Sequence, residues 1–204
     1  MLKSTGVGGR VSRLLYGIFG WVPFSPNQIT LIAMLVSLIG MVIARVEIGL
    51  AFMLFGFAFL LDAVDGAIAR GRGETSSLGA FLDGISDRLV EFLMLAAIFT
   101  LEPTAFIIFP HQVWVVITLF FGSVMTAYVR SYATHQGVLP RAEAEKMPGI
   151  LERAERCLLL LLFLGVYAMG EVELAGYVLV ATGILSFVTF VERFTYVLVY
   201  ANKT

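Results

Sequence analysis

Four aspartates, Asp62, Asp65, Asp83 and Asp87, stand at spacings that suit shared chemistry. On a helix advancing 100° per residue, Asp62, Asp65, Gly66 and Ala69 fall within one narrow arc, and Gly79, Asp83 and Asp87 form a stripe at i, i+4, i+8. Two such helices facing each other present four carboxylates to one cavity. Carboxylates that close repel one another unless cations neutralise them. With no His or Cys in the segment, an all-oxygen ligand set favours hard divalent ions, Mg²⁺, Mn²⁺ or Ca²⁺, over Zn²⁺. Glycine at 66 and 79 leaves room for a bulky polar ligand against the backbone. Arg70, one turn beyond the first pair, is placed to face an anion carried by the metals. Carboxylates, metals, small residues and an arginine together describe a site for a phosphate ester.

These carboxylates lie in a chain whose solvent is lipid. Of its 204 residues, 59% are hydrophobic and only 14% charged, and the mean hydropathy is +0.90. That composition excludes an ordinary soluble domain and predicts an all-α integral membrane protein. A net charge of −1 argues against a nucleic-acid binder, which needs a basic excess to replace phosphate counterions. The single cysteine, Cys157, excludes an intramolecular disulfide and a CxxC metal site.

Apolar runs long enough to cross a hydrocarbon core predict six transmembrane helices near 28–46, 48–70, 79–101, 112–136, 155–170 and 174–199. Residues 1–24 contain an amphipathic interfacial helix, with Val11, Leu14, Leu15 and Ile18 on one face and Arg10 and Arg13 off it. Ser25 is the expected N-cap of the next helix, with Pro26 in its first turn. Neither an internal repeat nor a long linker divides the chain, so residues 1–204 read as a single membrane domain whose six-helix bundle occupies 28–199. Thirteen of the fourteen Lys and Arg are assigned to one side, counting two after the sixth span, and Arg45 alone to the other. The positive-inside rule then puts both termini and the Asp-rich connection in the cytoplasm.

The pattern Asp62-x2-Asp65-Gly66-x2-Ala69-Arg70-x8-Gly79-x3-Asp83-x3-Asp87 resembles, at every fixed position, the signature of the CDP-alcohol phosphatidyltransferases. Pro26-Asn27 before the first span and the six-span layout extend the resemblance over nearly the whole chain. The resemblance implies a multi-pass enzyme of phospholipid biosynthesis in the cell membrane, its active site facing the cytoplasm. Such an enzyme passes the phosphatidyl or archaetidyl group of CDP-diacylglycerol or CDP-archaeol to a hydroxyl acceptor and releases CMP. It implies that Asp62, Asp65 and Asp83 hold two Mg²⁺ ions, with Mn²⁺ as the alternative, and that Asp87 shares one of them and acts as general base. Asn27, Gly66, Ala69, Arg70, Ser76 and Gly79, with Asp62, Asp65 and Asp83, match positions around the nucleotide and diphosphate. A homodimer is typical of the family.

Acceptor choice is expected in the second cytoplasmic connection, "YVRSYATHQGVLPRAEAEKMPGILERAERC". Orientation and contact with anionic headgroups account for Arg141 and Lys146, whereas Arg130, Arg153 and Arg156 sit at helix ends where a phosphate-bearing acceptor can be clamped. Here the chain is most similar to the phosphatidylinositol-phosphate and archaetidylinositol-phosphate synthases, which implies inositol 1-phosphate as acceptor. It departs from them at Tyr132, where those members usually carry an arginine, and at Thr134, where they usually carry an acid. Glycerol 3-phosphate is the runner-up acceptor, although the lysine-rich stretch associated with those synthases is missing.

Three other readings compete. Any one aspartate alone also reads, with less weight, as a structural partner for Arg70, Arg72 or Arg88; the complete spacing argues against that. An ion-coupled transporter needs polar residues through the outer half, where "LAFMLFGFAFLL" is unbroken, and an Asp-rich prenyltransferase usually carries a second Asp cluster.

Overall fold

The computed structural model describes residues 6–101 and 109–202, and every regular element among them is helical. Lys3 and Lys203, two of the cations counted for orientation, lie outside the described residues. The chain divides into two compact units, Met1–Thr100 and Leu101–Thr204.

The first unit holds α1 (Gly6–Phe19), α2 (Pro26–Ile43), α3 (Ile48–Arg72) and α4 (Ser77–Phe99). Local chemistry sets their ends. Ser25 is the N-cap and Pro26 the first helical residue, as the sequence predicts, and Gln28 adds a capping box: Ser25 Oγ accepts the Gln28 backbone N–H while Gln28 Oε1 accepts that of Ser25. Gly73, at φ +70°, closes α3 in the left-handed conformation that a side chain disfavours. Helix α2 buries Ile29, Ala33, Ser37 and Gly40, a one-sided stripe that packs on α3 and α4. A Cβ at Gly40 would lie 3.3 Å from the Phe55 ring, so the missing side chain permits close approach of α2 and α3. The opposite face of α2 exposes Leu31, Leu35, Leu38, Ile39 and Val42, as a lipid-facing helix does.

Helix α1 packs on α3. Leu15, Tyr16 and Phe19 cover the buried Ile29, Val64 and Ile68, whereas Val11, Leu14 and Ile18 stay more than half exposed. Leu15 therefore faces the unit's interior rather than sharing the outward apolar face with the other three.

In the second unit, α5 (His111–Ile117), a π-helical segment (Thr118–Met125) and α6 (Thr126–His135) run on as one rod, followed by α7 (Arg141–Ala144), α8 (Arg153–Ala168) and α9 (Val172–Ala201). Helix α9 packs on α5, the π segment, α6 and α8, through a face of Ala175, Leu179, Thr182, Ser186 and Thr189 with Gly176 and Gly183 between them.

Among the described residues, four helices are long and apolar enough to cross a membrane: Pro26–Ile43, Ile48–Arg72, His111–His135 and Val172–Ala201. Helix α4 spans 23 residues but carries Asp83, Asp87, Arg88 and Glu91, and α8 has only 16 residues, so length and composition alone do not add them to those four. One assignment is corrected. Arg193, counted with the cations after the last span, lies inside α9 and is 7% exposed. Its Nε donates to Pro148 O at 3.1 Å and its Nη1 to Thr126 O at 3.1 Å, so backbone carbonyls rather than water solvate the charge.

Candidate active site

Helices α3 and α4 bring three of the four aspartates together. One carboxylate oxygen from each of Asp62, Asp83 and Asp87 lies within 4.8 Å of the others, with Asp87 buried and the other two half-buried. Three hard anionic donors at that spacing fit an Mg²⁺- or Mn²⁺-type ion, and no soft ligand accompanies them. Asp87 Oδ2 also receives Arg88 Nη1 at 3.3 Å, from a guanidinium that is half exposed. Asp65 stands outside this set of three. It is 4% exposed, and its Oδ2 accepts the Thr30 hydroxyl of α2 at 2.5 Å.

Beside the carboxylates opens a cavity of about 190 Å³. Of the nine residues expected around a nucleotide, Asn27, Asp65, Gly66, Ala69, Arg70, Ser76, Gly79 and Asp83 line it; Asp62 does not. The two glycines act by omission. A Cβ on Gly66 would sit 3.2 Å from Arg70 Nη1, and one on Gly79 would sit 3.1 Å from Ser76 Oγ and 3.4 Å from Asn27 Oδ1. Ser76 caps α4, its Oγ accepting the Gly79 N–H at 3.0 Å. The first turn of α4 thus meets the cavity, and an anion is favoured at such a helix start.

Both arginines of α3 bind groups of α1 and of the turn that follows it. Arg70 donates from Nε and Nη2 to Ser12 Oγ of α1, at 3.1 and 3.0 Å. Arg72 donates to the carbonyls of Gly20 and Phe24, each at 3.0 Å, and to that of Val22. Sequence reasoning missed Ser12 and Thr30. Thr30 follows Asn27 by three residues and so shares its helical face, a signal that periodicity supplies. Ser12 had none, being a small polar residue between two arginines.

In the second unit Arg130 lies half-buried on α6, Arg153 opens α8 half-buried, and Arg156, one turn on, is 4% exposed. Arg130 Nε is shut from solvent with no acceptor among the described residues. A Cβ on Gly122 of the π segment would lie 2.9 Å from Arg156 Cδ and 2.8 Å from Ser186 Oγ, so this glycine makes room for the Arg156 stem. The connection before α8 lies along α9: Leu151 N–H donates to Thr189 Oγ1 at 3.0 Å and Ile150 N–H to Glu192 Oε2 at 3.1 Å. Arg141 and Lys146 stay exposed and pair locally, with Glu145 at 3.3 Å and Glu143 at 2.8 Å. The bond from Lys146 holds the Glu143 carboxyl below the usual carboxylate range, and Glu143 raises Lys146 in return.

Comparison with known proteins follows the same residues. The sequence model of the CDP-alcohol phosphatidyltransferases matches residues 24–191. The chain is 32% identical over 138 residues to an archaetidylinositol phosphate synthase of Aeropyrum pernix, covering 68% of this chain and 64% of that protein. It is 31% identical over 171 residues to one of Pyrococcus horikoshii, covering 83% and 81%. A match to the bifunctional IPC transferase and DIPP synthase of Aquifex aeolicus, 34% identical, covers 52% of this chain and 24% of that one. The chain thus spans less than two thirds of the Aeropyrum relative and about a quarter of the Aquifex one. Its fold matches the Mycobacterium tuberculosis phosphatidylinositol phosphate synthase crystallised with CDP-DAG, at TM-score 0.71 and 22% identity over 92% of both chains. The complex of that enzyme with manganese and citrate gives 0.71 and 21%, over 92% of this chain and 88% of that one.

Proposed function

The chain belongs to the CDP-alcohol phosphatidyltransferase family, and from that premise we propose that it transfers the phosphatidyl or archaetidyl group of a CDP-linked lipid to inositol 1-phosphate, releasing CMP. The observation that carries this reading is the set of Asp62, Asp83 and Asp87 oxygens within 4.8 Å of one another, next to a cavity lined by Asp65, Gly66, Ala69, Arg70, Gly79 and Asp83 of the same motif. Relatives named archaetidylinositol phosphate synthase support the choice of acceptor.

In this reaction the acceptor oxygen attacks the β-phosphorus, the bond from that phosphorus to the CMP oxygen breaks, and the hydroxyl proton passes to Asp87. General-base help of this kind is worth a factor of about 10²–10⁴. Asp62, Asp83 and Asp87, with Asp65, would hold two Mg²⁺ ions, Mn²⁺ being the alternative. Bound ions there polarise the phosphoryl oxygens and offset charge on the leaving CMP. Arg70 and the first turn of α4 bind the diphosphate, and Asn27, Gly66, Ala69, Ser76 and Gly79 shape the space around the nucleotide. Arg130, Arg153 and Arg156 bind the acceptor phosphate.

Residues 1–204 work as one domain with six membrane-spanning helices, α4 and α8 joining the four apolar ones, and α1 lies in the interface with Val11, Leu14 and Ile18 toward lipid. The active site faces the cytoplasm of a cell-membrane homodimer. The test is to give the purified protein Mg²⁺, CDP-diacylglycerol or CDP-archaeol, and a panel of polyol phosphates, following CMP release and the mass of the lipid product. A product carrying inositol phosphate is expected. CMP release with glycerol 3-phosphate alone would reassign the acceptor, and no release with any acceptor would overturn the reading.

A further inference from the structure

Three consecutive residues of α3 grip α1 and the turn that follows it. Arg70 binds Ser12, Gly71 is covered by the Tyr16 ring so closely that a Cβ there would collide with it, and Arg72 binds the carbonyls of Gly20, Val22 and Phe24. A helix that served only as a membrane anchor would need none of these polar contacts. Arg72 fixes the turn, Tyr16 fixes the separation, and Ser12 then reaches the one residue of the three that lines the cavity.

From this arrangement we propose that Ser12 is a positioning residue for Arg70, making α1 a working part of the nucleotide cavity. The inference rests on the reading that Arg70 binds the diphosphate of a CDP-linked lipid. The Ser12 hydroxyl oxygen accepts from Nε and Nη2, the two donors on one edge of the guanidinium, at 3.1 and 3.0 Å. Nη1 lies over Gly66, 3.2 Å from where a Cβ would be, and Gly66 lines the cavity. Arg70 is an exposed residue. A free arginine side chain carries rotamer entropy, which an anion must offset on binding. Ser12 restrains the side chain before the ligand arrives, so part of that cost falls on folding instead of on substrate binding. The outward face of α1, Val11, Leu14 and Ile18, then ties the orientation of a substrate-binding arginine to the seating of this helix at the membrane surface.

The experiment compares wild type with Ser12→Ala, Ser12→Thr, Arg70→Ala and the Ser12→Ala/Arg70→Ala double variant, all as full chains in lipid vesicles. It reads steady-state kinetics with CDP-diacylglycerol and inositol 1-phosphate varied, and the Kd for CDP in the presence of Mn²⁺, so that an inactive Arg70→Ala still reports. Ser12→Ala should raise the CDP-lipid KM and the CDP Kd about three- to tenfold and leave the acceptor KM in place. Ser12→Thr, which keeps the hydroxyl, should restore both. In the Arg70→Ala background, removing the Ser12 hydroxyl should change nothing further, because coupled residues fail additivity. An unchanged Ser12→Ala, or an equal loss with and without Arg70, overturns the inference while leaving the transferase reading intact. A wild type that neither binds CDP nor turns over the lipid overturns both.

Discussion

Thr30 of α2 donates its hydroxyl to Asp65 of α3 across 2.5 Å, joining a motif carboxylate to a helix that contributes no aspartate of its own to the site. The same hydroxyl lies 3.0 Å from Pro26 O, one turn back, so a single side chain ties the start of α2 to the Asp motif. Thr30→Val keeps the shape and removes the donor, leaving Asp65 buried without it. Loss of a partner to a buried carboxylate costs about 1–3 kcal/mol. Thermal unfolding in detergent should show a lower Tm for Thr30→Val and a near-normal one for Thr30→Ser. Equal stability of Thr30→Val and wild type would mean that this bond holds nothing.

Asp62 and Asp87 share one carboxylate cluster but are assigned different work, and substitution separates them. Asp87→Asn should lower kcat about 10²–10⁴-fold while retaining much of the Mn²⁺-dependent CDP affinity. Asp62→Asn should weaken that affinity itself, because its carboxylate is assigned to holding the ions. Binding calorimetry with CDP, with and without Mn²⁺, beside single-turnover rates makes the distinction. An active Asp87→Asn enzyme removes the general-base role.

What the sequence made legible is what local rules fix. The Ser25 cap and Pro26 belong to one turn, and the Asp stripes follow from helical periodicity alone, so both could be read without coordinates. Pairings between distant segments could not. Thr30 with Asp65, Ser12 with Arg70 and Arg72 with the 20–24 turn join residues 35 to 58 positions apart, and nothing local marks them. Arg193 was misplaced because a cation in an apolar run was assigned to the run's end, whereas the carbonyls of Thr126 and Pro148 solvate it inside α9. The π segment Thr118–Met125 carries no residue pattern that distinguishes it from α-helix; only its packing, with Gly122 against Arg156 and Ser186, accounts for a glycine there.

Orientation can be tested within the first unit alone. Val46, 87% exposed before α3, and Ser77, exposed at the start of α4, flank a helix long enough to span a bilayer. Single cysteines at the two positions should react with an impermeant maleimide from opposite sides, Ser77→Cys from the cytoplasm. The native Cys157 is buried and adds little background. Same-side labelling would remove α3 as a span.

The acceptor is tested through the second unit. Arg130, Arg153 and Arg156 are assigned to its phosphate, and each charge-assisted bond is worth about 1.5–3 kcal/mol. Arg130→Ala or Arg153→Ala should therefore raise the acceptor KM roughly ten- to a hundredfold if the binding is uniform between ground and transition states. Gly122→Ala supplies a subtler probe that removes no charge. The new Cβ would fall 2.9 Å from Arg156 Cδ and 2.8 Å from Ser186 Oγ, so the Arg156 stem must move and the acceptor KM should rise with it. The CDP-lipid KM should hold in all three variants, since Arg70 and the carboxylate cluster, not these residues, are assigned to that substrate. Kinetics with both substrates varied decide the matter: if only the CDP-lipid KM moves, or if free inositol reacts as well as its phosphate, these arginines do not bind the acceptor phosphate.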